Sequence, residues 1–265
     1  MRSFWFQMPK YKITNLIGFF LVTISIFLSV KGYFSVWVPI VVVVIWNFIL
    51  LLGAFVIRLG FYLQVFTKIK NEKPYVAISF DDGPDVNTPA LLDILKKHNA
   101  KATFFVKGAN VVSNAKLLLR MKSEGHTIGN HTFSHSNMFP FFSKEKIIEE
   151  IQNCSKTIKE ITGDEPWCFR PPFGITNPNI SKAIKQSGLI CIGWSVRSLD
   201  TIKYNPDKVI SKVKRKIKPG SILLLHDTTS EAKYILEQIL DHCKLCGFQP
   251  VQIDKLLLNN VNDEN

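Results

Sequence analysis

Cysteine is scarce in this sequence, and acidic residues are missing from its first part. Five cysteines among 265 residues are an odd number and widely scattered, which excludes the disulfide scaffold of a small secreted domain. Internal repeats and low-complexity tracts are also absent. With 46 % hydrophobic and 20 % charged residues, the chain falls outside the disordered and fibrous classes and can bury a core. The cysteines are Cys154, Cys168, Cys191, Cys243 and Cys246.

No aspartate or glutamate occurs up to Phe66, and two long uncharged runs occupy this part of the chain. Residues 13–30 and 34–57 are each long and apolar enough to cross a bilayer as a helix. Pro39 lies near the start of the second run, where a missing backbone donor costs least. We therefore predict a membrane anchor over 1–66, built as a transmembrane helical hairpin. A cleavable signal peptide is the alternative, although no small-residue cleavage pattern separates the two runs.

Basic residues are concentrated at the two ends of this hairpin, whereas Lys31 stands alone in its turn. Because positive charge favours the cytoplasmic side, we expect an integral, multi-pass protein of a bacterial cell membrane whose following domain faces the cytoplasm. The formal net charge is +12, but the densest basic cluster, at 212–218, has no interleaved aromatic residue, so no nucleic-acid partner is expected. The oligomeric state stays open. The flanking bases are Arg2, Lys10, Lys12, Arg58, Lys68, Lys70 and Lys73.

After a polar linker at 67–73, short β-rich runs alternate with amphipathic stretches over residues 74–265. This alternation predicts an α/β fold, a distorted or incomplete (β/α) barrel with about seven strands, preceded by the helical hairpin. A doubly wound open sheet is the alternative. In a barrel, catalytic residues lie where strands end, and the polar motifs of this chain follow its predicted strands. These strands cover 75–80, 102–107, 126–130, 167–170, 189–194, 221–225 and 249–253.

Two of these motifs together suggest a metal site. Asp81 and Asp82 follow the first predicted strand, and adjacent carboxylates repel each other unless a cation or base lies beside them. His131 and His135 follow the third strand at a spacing of four, which on a helical turn places both imidazoles on one face. One aspartate with these two histidines would leave coordination positions open for water and substrate. Neither motif decides the matter alone, since paired aspartates are common in turns and spaced histidines are often surface or capping residues.

Two more motifs follow the fourth and sixth predicted strands. In Arg170-Pro171-Pro172-Phe173-Gly174, two prolines fix the loop and leave the Phe173 amide as a free donor suited to an oxyanion. The apolar run 223–225 ends in His226. A lone histidine at a strand end is more often structural than catalytic. Because His226 occurs together with the other motifs at strand ends, we expect it to be catalytic.

The motifs SFDDGP, HTFSH, RPPFG, WSVRSLD and LLLHD, in this order, resemble those of the polysaccharide deacetylases with a NodB-homology domain. The resemblance covers residues 74–253. It implies metal-dependent hydrolysis of an N-acetyl or related acyl group on an amino sugar of a polysaccharide, an oligosaccharide or a lipid-linked saccharide. The implied ion is divalent, with zinc expected first and cobalt, nickel, manganese or iron left open. The implied roles are Asp82, His131 and His135 as metal ligands, Asp81 as general base, His226 as general acid, Arg170 as the residue holding Asp81, and Leu224 as part of the pocket for the acetyl methyl.

The sequence departs from the family pattern in the third and fourth motifs. Phe173 stands where a tyrosine is usual, which matters little if only its amide is used. Arg197 replaces an aspartate that usually supports the arginine of the third motif, so either Asp200 supplies the countercharge to Arg170 or the base is held differently. Thr201 replaces a tryptophan of the groove wall.

The substitution at Thr201 puts binding of an ordinary polymer in doubt, and we expect Trp194 to replace part of the missing pocket wall. A carbohydrate-binding pseudoenzyme that keeps the metal site is the alternative function. His126, Cys243 and Cys246 are interpreted as structural, because no second ligand pair accompanies the C-x-x-C spacing.

Overall fold

The computed structural model describes residues 9–70, 73–202 and 205–262, and gives the backbone for 259–262. Its α-helices are α1 (Lys10–Val30), α2 (Trp37–Phe55), α3 (Thr88–Lys97), α4 (Gly108–Ser113), α5 (Ala115–Ser123), α6 (Lys144–Thr162), α7 (Pro178–Ser187), α8 (Pro206–Lys216), α9 (Ala232–Leu245) and α10 (Ile253–Asn262). Its strands are β1 (Tyr75–Asp81), β2 (Thr103–Val106), β3 (Thr127–Asn130), β4 (Cys168–Phe169), β5 (Ile190–Cys191), β6 (Val196–Arg197), β7 (Ile222–His226) and β8 (Gln249–Val251).

The strands form one curled sheet in the order β5-β4-β3-β2-β1-β7-β6, and β8 pairs with the start of β1. Every paired strand is parallel to its neighbour. The two ends of the order, β5 and β6, are joined directly by residues 192–195, which cross the open edge. The prediction of an incomplete (β/α) barrel is therefore confirmed, and the doubly wound sheet is excluded.

The inner and outer faces of the sheet follow the two-residue period of β-strands. Val76, Ile78 and Phe80 of β1 belong to the large core that the sheet shares with the surrounding helices. The alternate residues of β1, which include Ser79 and Asp81, point to the inside of the curl. All of β1 is buried, as expected for a parallel strand covered on both faces. The inner face therefore carries the polar groups that become the site.

The chain between the hairpin and β1 fills part of the open edge of the barrel. The Phe66 carbonyl accepts a hydrogen bond of 2.8 Å from the Gly193 amide, and the Gly220 carbonyl accepts one of 3.0 Å from Ile69. Ile69 is buried in the inner core. The predicted linker thus contacts the sheet, although its residues 71–72 lie outside the described residues. The domain boundary at residue 74 stays a prediction.

Helices α1 and α2 form a hairpin whose length and composition could cross a membrane, and most of their side chains are exposed. The two helices touch where Gly18 of α1 faces the ring of Trp46, whose Nε1 donates to Asn15 Oδ1 at 3.3 Å. A methyl group added at Gly18 would lie 2.5 Å from that ring. The missing side chain is therefore what allows the close approach.

The structure differs from the sequence prediction at the fifth strand. The interval 189–194 was expected to be one strand, but β5 is only Ile190–Cys191, and β6 was not predicted. Gly193 and Trp194 lie in the connection that crosses the open edge, where no neighbouring strand pairs with them. Apolar residues in this crossing resemble a strand in the sequence because they are buried.

Candidate active site

The predicted site residues meet at the carboxyl ends of the parallel strands. Asp81 ends β1, His226 ends β7, and His131 and Arg170 directly follow β3 and β4. Parallel strands present these ends at the same edge of the sheet, so residues far apart in the chain become neighbours. Among the described residues, one group brings three metal-ligating side chains together, and it consists of Asp82, His131 and His135.

Asp82, His131 and His135 converge on a small space. Asp82 Oδ1 lies 3.5 Å from His135 Nε2 and 3.9 Å from His131 Nε2. This carboxylate oxygen is buried and has no hydrogen-bond partner within the described residues; Lys107 Nζ is 3.7 Å away. A buried carboxylate oxygen without a partner is costly unless a cation compensates it. Two imidazole nitrogens and one carboxylate oxygen fit a divalent transition-metal ion.

Strained loops, and no helix, bring these side chains together. Residues 131–135 are irregular, with positive φ at Thr132 (68°) and His135 (51°), and Asp82 has φ 80°. The helical spacing expected for the two histidines is therefore wrong, although the rings do approach to 4.8 Å between centroids. His131 Nδ1 lies 2.7 Å from the Arg170 carbonyl. A carbonyl only accepts, so Nδ1 carries the proton and Nε2 is left for a ligand.

The charges around this group favour the forms that bind a cation. Burial alone would raise the pKa of Asp82, but His131, His135 and Lys107 together lower it below its usual value. Burial lowers the pKa of His135 to about 4, and the neighbouring His131 acts in the same direction. At neutral pH the aspartate is ionised and His135 is neutral, which is the ligating form of an imidazole.

Arg170 holds Asp81 in a buried ion pair. Arg170 Nη1 lies 2.6 Å from Asp81 Oδ1, and the guanidinium also donates to Ser79 Oγ and to the carbonyl of Gly193. Both side chains are almost completely buried. The second oxygen, Asp81 Oδ2, lies 3.8 Å from His131 Nε2 and therefore faces the histidines. One carboxylate oxygen is thus held while the other is directed at the site.

Asp200 lies against His226 and is not the countercharge of Arg170. Asp200 Oδ1 is 2.8 Å from His226 Nδ1, and Asp200 Oδ2 accepts a hydrogen bond of 2.8 Å from the His226 amide. Burial would lower the pKa of His226, but the hydrogen bond and charge of Asp200 raise it above the usual value. The sequence left a pair of Asp200 with Arg170 open. The structure pairs Arg170 with Asp81, and Arg197 contacts the Trp194 ring at 5.7 Å.

The remaining predicted residues surround this centre. Phe173 has φ 60°, its ring lies 4.9 Å from that of His135, and its amide has no acceptor within the described residues. Leu224 and Trp194 are both buried and pack together. Their third partner is Ile57, which follows α2 and which the sequence analysis assigned to the membrane anchor. Its contact with the site could not be read from local spacing, because it depends on how the hairpin returns to the sheet.

Other groups singled out in the sequence lie apart from the site. His126 is buried, its Nδ1 accepts a hydrogen bond from the Ala102 amide, and burial lowers its pKa to about 4. Cys243 is buried whereas Cys246 is exposed, and both are free thiols. Asp227, to which the sequence analysis assigned no role, follows His226 in the chain; it accepts a hydrogen bond of 2.6 Å from Thr88 Oγ1, and burial raises its pKa to about 7.

Comparisons with known proteins place this arrangement among related chains. A family model described as polysaccharide deacetylase matches residues 68–192. A peptidoglycan-N-acetylglucosamine deacetylase of Bacillus cereus is 36% identical over 72% of this chain and 91% of its own. The peptidoglycan-N-acetylglucosamine deacetylase PgdA of Listeria monocytogenes is 37% identical over 68% of this chain. The present chain spans only 38% of that Listeria protein's length.

A similar structure is that of a CE4 family pseudoenzyme from Bacillus anthracis. It is 29% identical, covers 72% of this chain and 68% of its own, and superposes with a TM-score of 0.67. The curled parallel sheet is thus shared with both a pseudoenzyme and a peptidoglycan N-acetylglucosamine deacetylase. The fold alone therefore leaves activity to be argued from the side chains.

Proposed function

Because this chain belongs to the polysaccharide deacetylase family, we propose that it hydrolyses the N-acetyl or a related N-acyl group of an amino sugar. The substrate is carried on a polysaccharide, an oligosaccharide or a lipid. One observation supports the proposal above the others: the group of Asp82, His131 and His135 lies beside Asp81, which Arg170 holds. Asp81 is paired in register with His226 of the neighbouring strand, and Asp200 holds that histidine. The two peptidoglycan-N-acetylglucosamine deacetylases named above remove the acetyl group from an amino sugar.

The three converging side chains would hold a divalent cation, with zinc the first expectation. The unpartnered Asp82 Oδ1 and the two free Nε2 atoms form a suitable donor set. Such an ion supplies Lewis acidity, which polarises the acyl carbonyl and makes water easier to deprotonate. His131 is oriented for this task by its Nδ1 contact to the Arg170 carbonyl.

Asp81 acts as general base through Oδ2. The ion pair with Arg170 fixes Oδ1, so the other oxygen faces the histidines and can accept the proton of the attacking water. Arg170 is itself fixed by Ser79, by two carbonyls and by the Phe105 ring 4.0 Å away. The base is thus held without the aspartate that the family usually provides at position 197.

His226 acts as general acid. With Nδ1 held by Asp200, its Nε2 proton is available for the departing amine nitrogen, which would otherwise leave as an amide anion. Asp200 favours the protonated imidazole, as an acid near neutral pH requires. The Phe173 amide is positioned by its φ of 60° to donate to the oxyanion, and Leu224 with Trp194 would receive the acyl methyl.

The pseudoenzyme alternative is not favoured. The proposed base, acid and three ligand residues are all present, and the missing aspartate is compensated by other contacts of Arg170. Glycan binding with no acid released from any acylated sugar would overturn the proposed function.

The test compares Asp81→Asn with the wild-type full-length chain in detergent, by release of free amine and by metal content. We expect Asp81→Asn to lose turnover by about 10²–10⁴-fold and to keep the ion, because Asp81 acts as base and does not hold the metal. Asp82→Asn should lose both. The surface substitution Asp93→Asn, far from the site, is the matched control and should change neither. Full turnover in Asp81→Asn would remove the base assignment.

A further inference from the structure

The end of helix α2 takes part in the walls of the site. The Thr176 amide, just after the loop of Phe173, donates to the Ala54 carbonyl at 3.0 Å. Arg58 donates from Nη2 to the Ser195 carbonyl, and Ile57 packs on Trp194 and Leu224. The last turn of α2 and the residues after it therefore touch three of the loops and strands that carry the site. If α2 crosses a bilayer, the proposed acyl pocket therefore lies next to the end of that crossing, since Ile57 follows Phe55 by two residues.

An exposed apolar rim continues from this helix end around the site. We define the rim as Phe55, Leu59, Met138, Phe141 and Phe173, all exposed. Phe141 is 79% exposed, and the loop that carries it is tied to α7 by a hydrogen bond of 2.6 Å from Asn177 Nδ2 to the Pro140 carbonyl. Thr176, whose amide is bonded to the end of α2, directly precedes Asn177 in the chain. Exposed apolar side chains on segments that are bonded to one another mark an interaction surface, and the bond of Thr176 to the end of α2 points to the bilayer.

Two arginines stand beside the acyl pocket without an acidic partner among the described residues. Arg58 contacts Ser195, next to Trp194, and the guanidinium of Arg197 lies 5.7 Å from the Trp194 ring centroid. Both arginines are exposed, and the nearby carboxylate of Asp200 is committed to His226. Lys212 adds a third positive charge next to Arg197, because its Nζ donates to the carbonyl of the following residue, Ser198, at 3.4 Å. Forked guanidinium groups match the oxygens of a phosphate.

Building on the proposed function, we propose that the substrate is an N-acylated amino sugar joined through phosphate to a membrane lipid, with the phosphate bound by Arg58 and Arg197. The rim then lies on the bilayer surface, and the sugar enters the site from the membrane. This proposal explains the arginine at position 197, because the aspartate that is usual there would repel a phosphate. It also accounts for a site wall supplied by the hairpin.

The first experiment uses the full-length, metal-loaded chain in phosphatidylcholine nanodiscs. Release of amine is compared for polyprenyl-phosphate-linked N-acetylglucosamine in the disc and for soluble chitotetraose. We expect kcat/KM to be at least about tenfold higher for the lipid-linked sugar, because one hydrogen bond to a charged group strengthens binding by about tenfold. Equal or faster turnover of chitotetraose would overturn this inference and leave the proposed function standing. No turnover of either sugar would overturn both.

A second experiment separates phosphate binding from a general loss of charge. Arg197→Gln should raise KM for the lipid-linked sugar about tenfold with little change in kcat, and Arg197→Lys should restore part of the loss. Arg215→Gln, an exposed arginine in the last turn of α8, is the matched control and should leave KM unchanged. An unchanged KM in Arg197→Gln would overturn the phosphate assignment. An effect seen only when the discs contain phosphatidylglycerol would mean that the arginines bind headgroups, and would overturn it as well.

A third experiment tests the contact with the bilayer independently of activity. Single cysteines in a Cys246→Ser background, Phe141→Cys on the rim and Leu245→Cys at the far end of α9, are labelled with a polarity-sensitive fluorophore. Both positions are highly exposed, so neither substitution disturbs the core. The label at 141 should shift to the blue and be quenched by spin-labelled lipid, whereas the label at 245 should not. Equal quenching at the two sites, or none at 141, would overturn the membrane-facing rim.

Discussion

At the scale of single residues, the chemistry depends on two carboxylates that differ in their partners. Asp81 is held by a buried guanidinium, and Asp200 is held against an imidazole. The first arrangement leaves the second oxygen of Asp81 facing the histidines, and the second raises the pKa of His226, which favours a protonated acid. Environment therefore divides the roles between similar groups, as is general in acid–base catalysis.

The first prediction concerns Asp200→Asn. Asp200 raises the pKa of His226, and the proposed mechanism needs His226 protonated. Activity should therefore persist below that pKa and fall as pH rises through it. Losing the Asp200 charge lowers this pKa, so the alkaline limb of the kcat/KM profile should move to lower pH. Turnover at pH 8 should fall about 10–100-fold, and less at pH 6.

Asp207→Asn removes an exposed carboxylate from the start of α8 and serves as the control for that profile. It should leave the alkaline limb in place. An Asp200→Asn enzyme with the wild-type pH profile would contradict the assignment of His226 as the acid.

At the scale of elements, the hairpin is held by a close approach between α1 and α2. Gly18 and the Trp46 ring leave no room for a side chain, and Asn15 satisfies the indole nitrogen. In hydrocarbon, helices associate through small residues and interhelical hydrogen bonds, because burial of apolar surface gives no advantage there. The contact of Gly18 and Asn15 with Trp46 therefore helps to specify how the two helices meet.

The second prediction is that Gly18→Leu separates the two helices. The added side chain would overlap the Trp46 ring and cost about 1–3 kcal/mol. The midpoint of thermal unfolding of the full-length chain in detergent should fall. Leu16→Ala, on an exposed face of α1, removes a large apolar side chain without touching α2 and should leave the midpoint nearly unchanged. Equal midpoints for wild type and Gly18→Leu would contradict the packing role of Gly18.

At the scale of the whole molecule, the barrel and the segment before it behave as one structure. Residues 57–69 supply Ile57 to the cluster with Trp194 and Leu224, Phe66 to the open edge and Ile69 to the inner core. A barrel with an open edge exposes unpaired backbone and apolar side chains unless another segment covers them. A domain that began at residue 74 would lack the covering residues 57–69.

The third prediction compares two truncated chains, 56–265 and 73–265. The longer chain keeps the covering segment and should unfold cooperatively, whereas the shorter one should melt at a clearly lower temperature or aggregate. Thermal unfolding followed by circular dichroism measures the difference. The longer chain with Phe66→Pro, which removes the Phe66 amide donor to Cys191, should lie between them. Identical melting of both truncated chains would support a domain that begins at residue 74.

The fold class and most residues of the proposed site could be predicted from local patterns in the chain. Alternating β-rich and amphipathic runs are local, and the polar motifs at strand ends are local as well, so the parallel barrel and Asp81, Asp82, His131 and His226 could be predicted. The uncharged runs near the start are also a local property, and they coincide with two helices of the expected kind.

Contacts between groups that are far apart in the chain could be seen only in the folded protein. The partner of Asp200 depended on the curl that brings the loop after β6 beside the end of β7, and the place of Ile57 depended on the return of the hairpin to the open edge. The histidine pair shows the same limit in reverse. The spacing of His131 and His135 correctly predicted that the two rings converge. A strained loop, and not a helix, brings them together. Hydrogen bonds to the side chains of Asn130 and Thr132 hold the backbone of this loop.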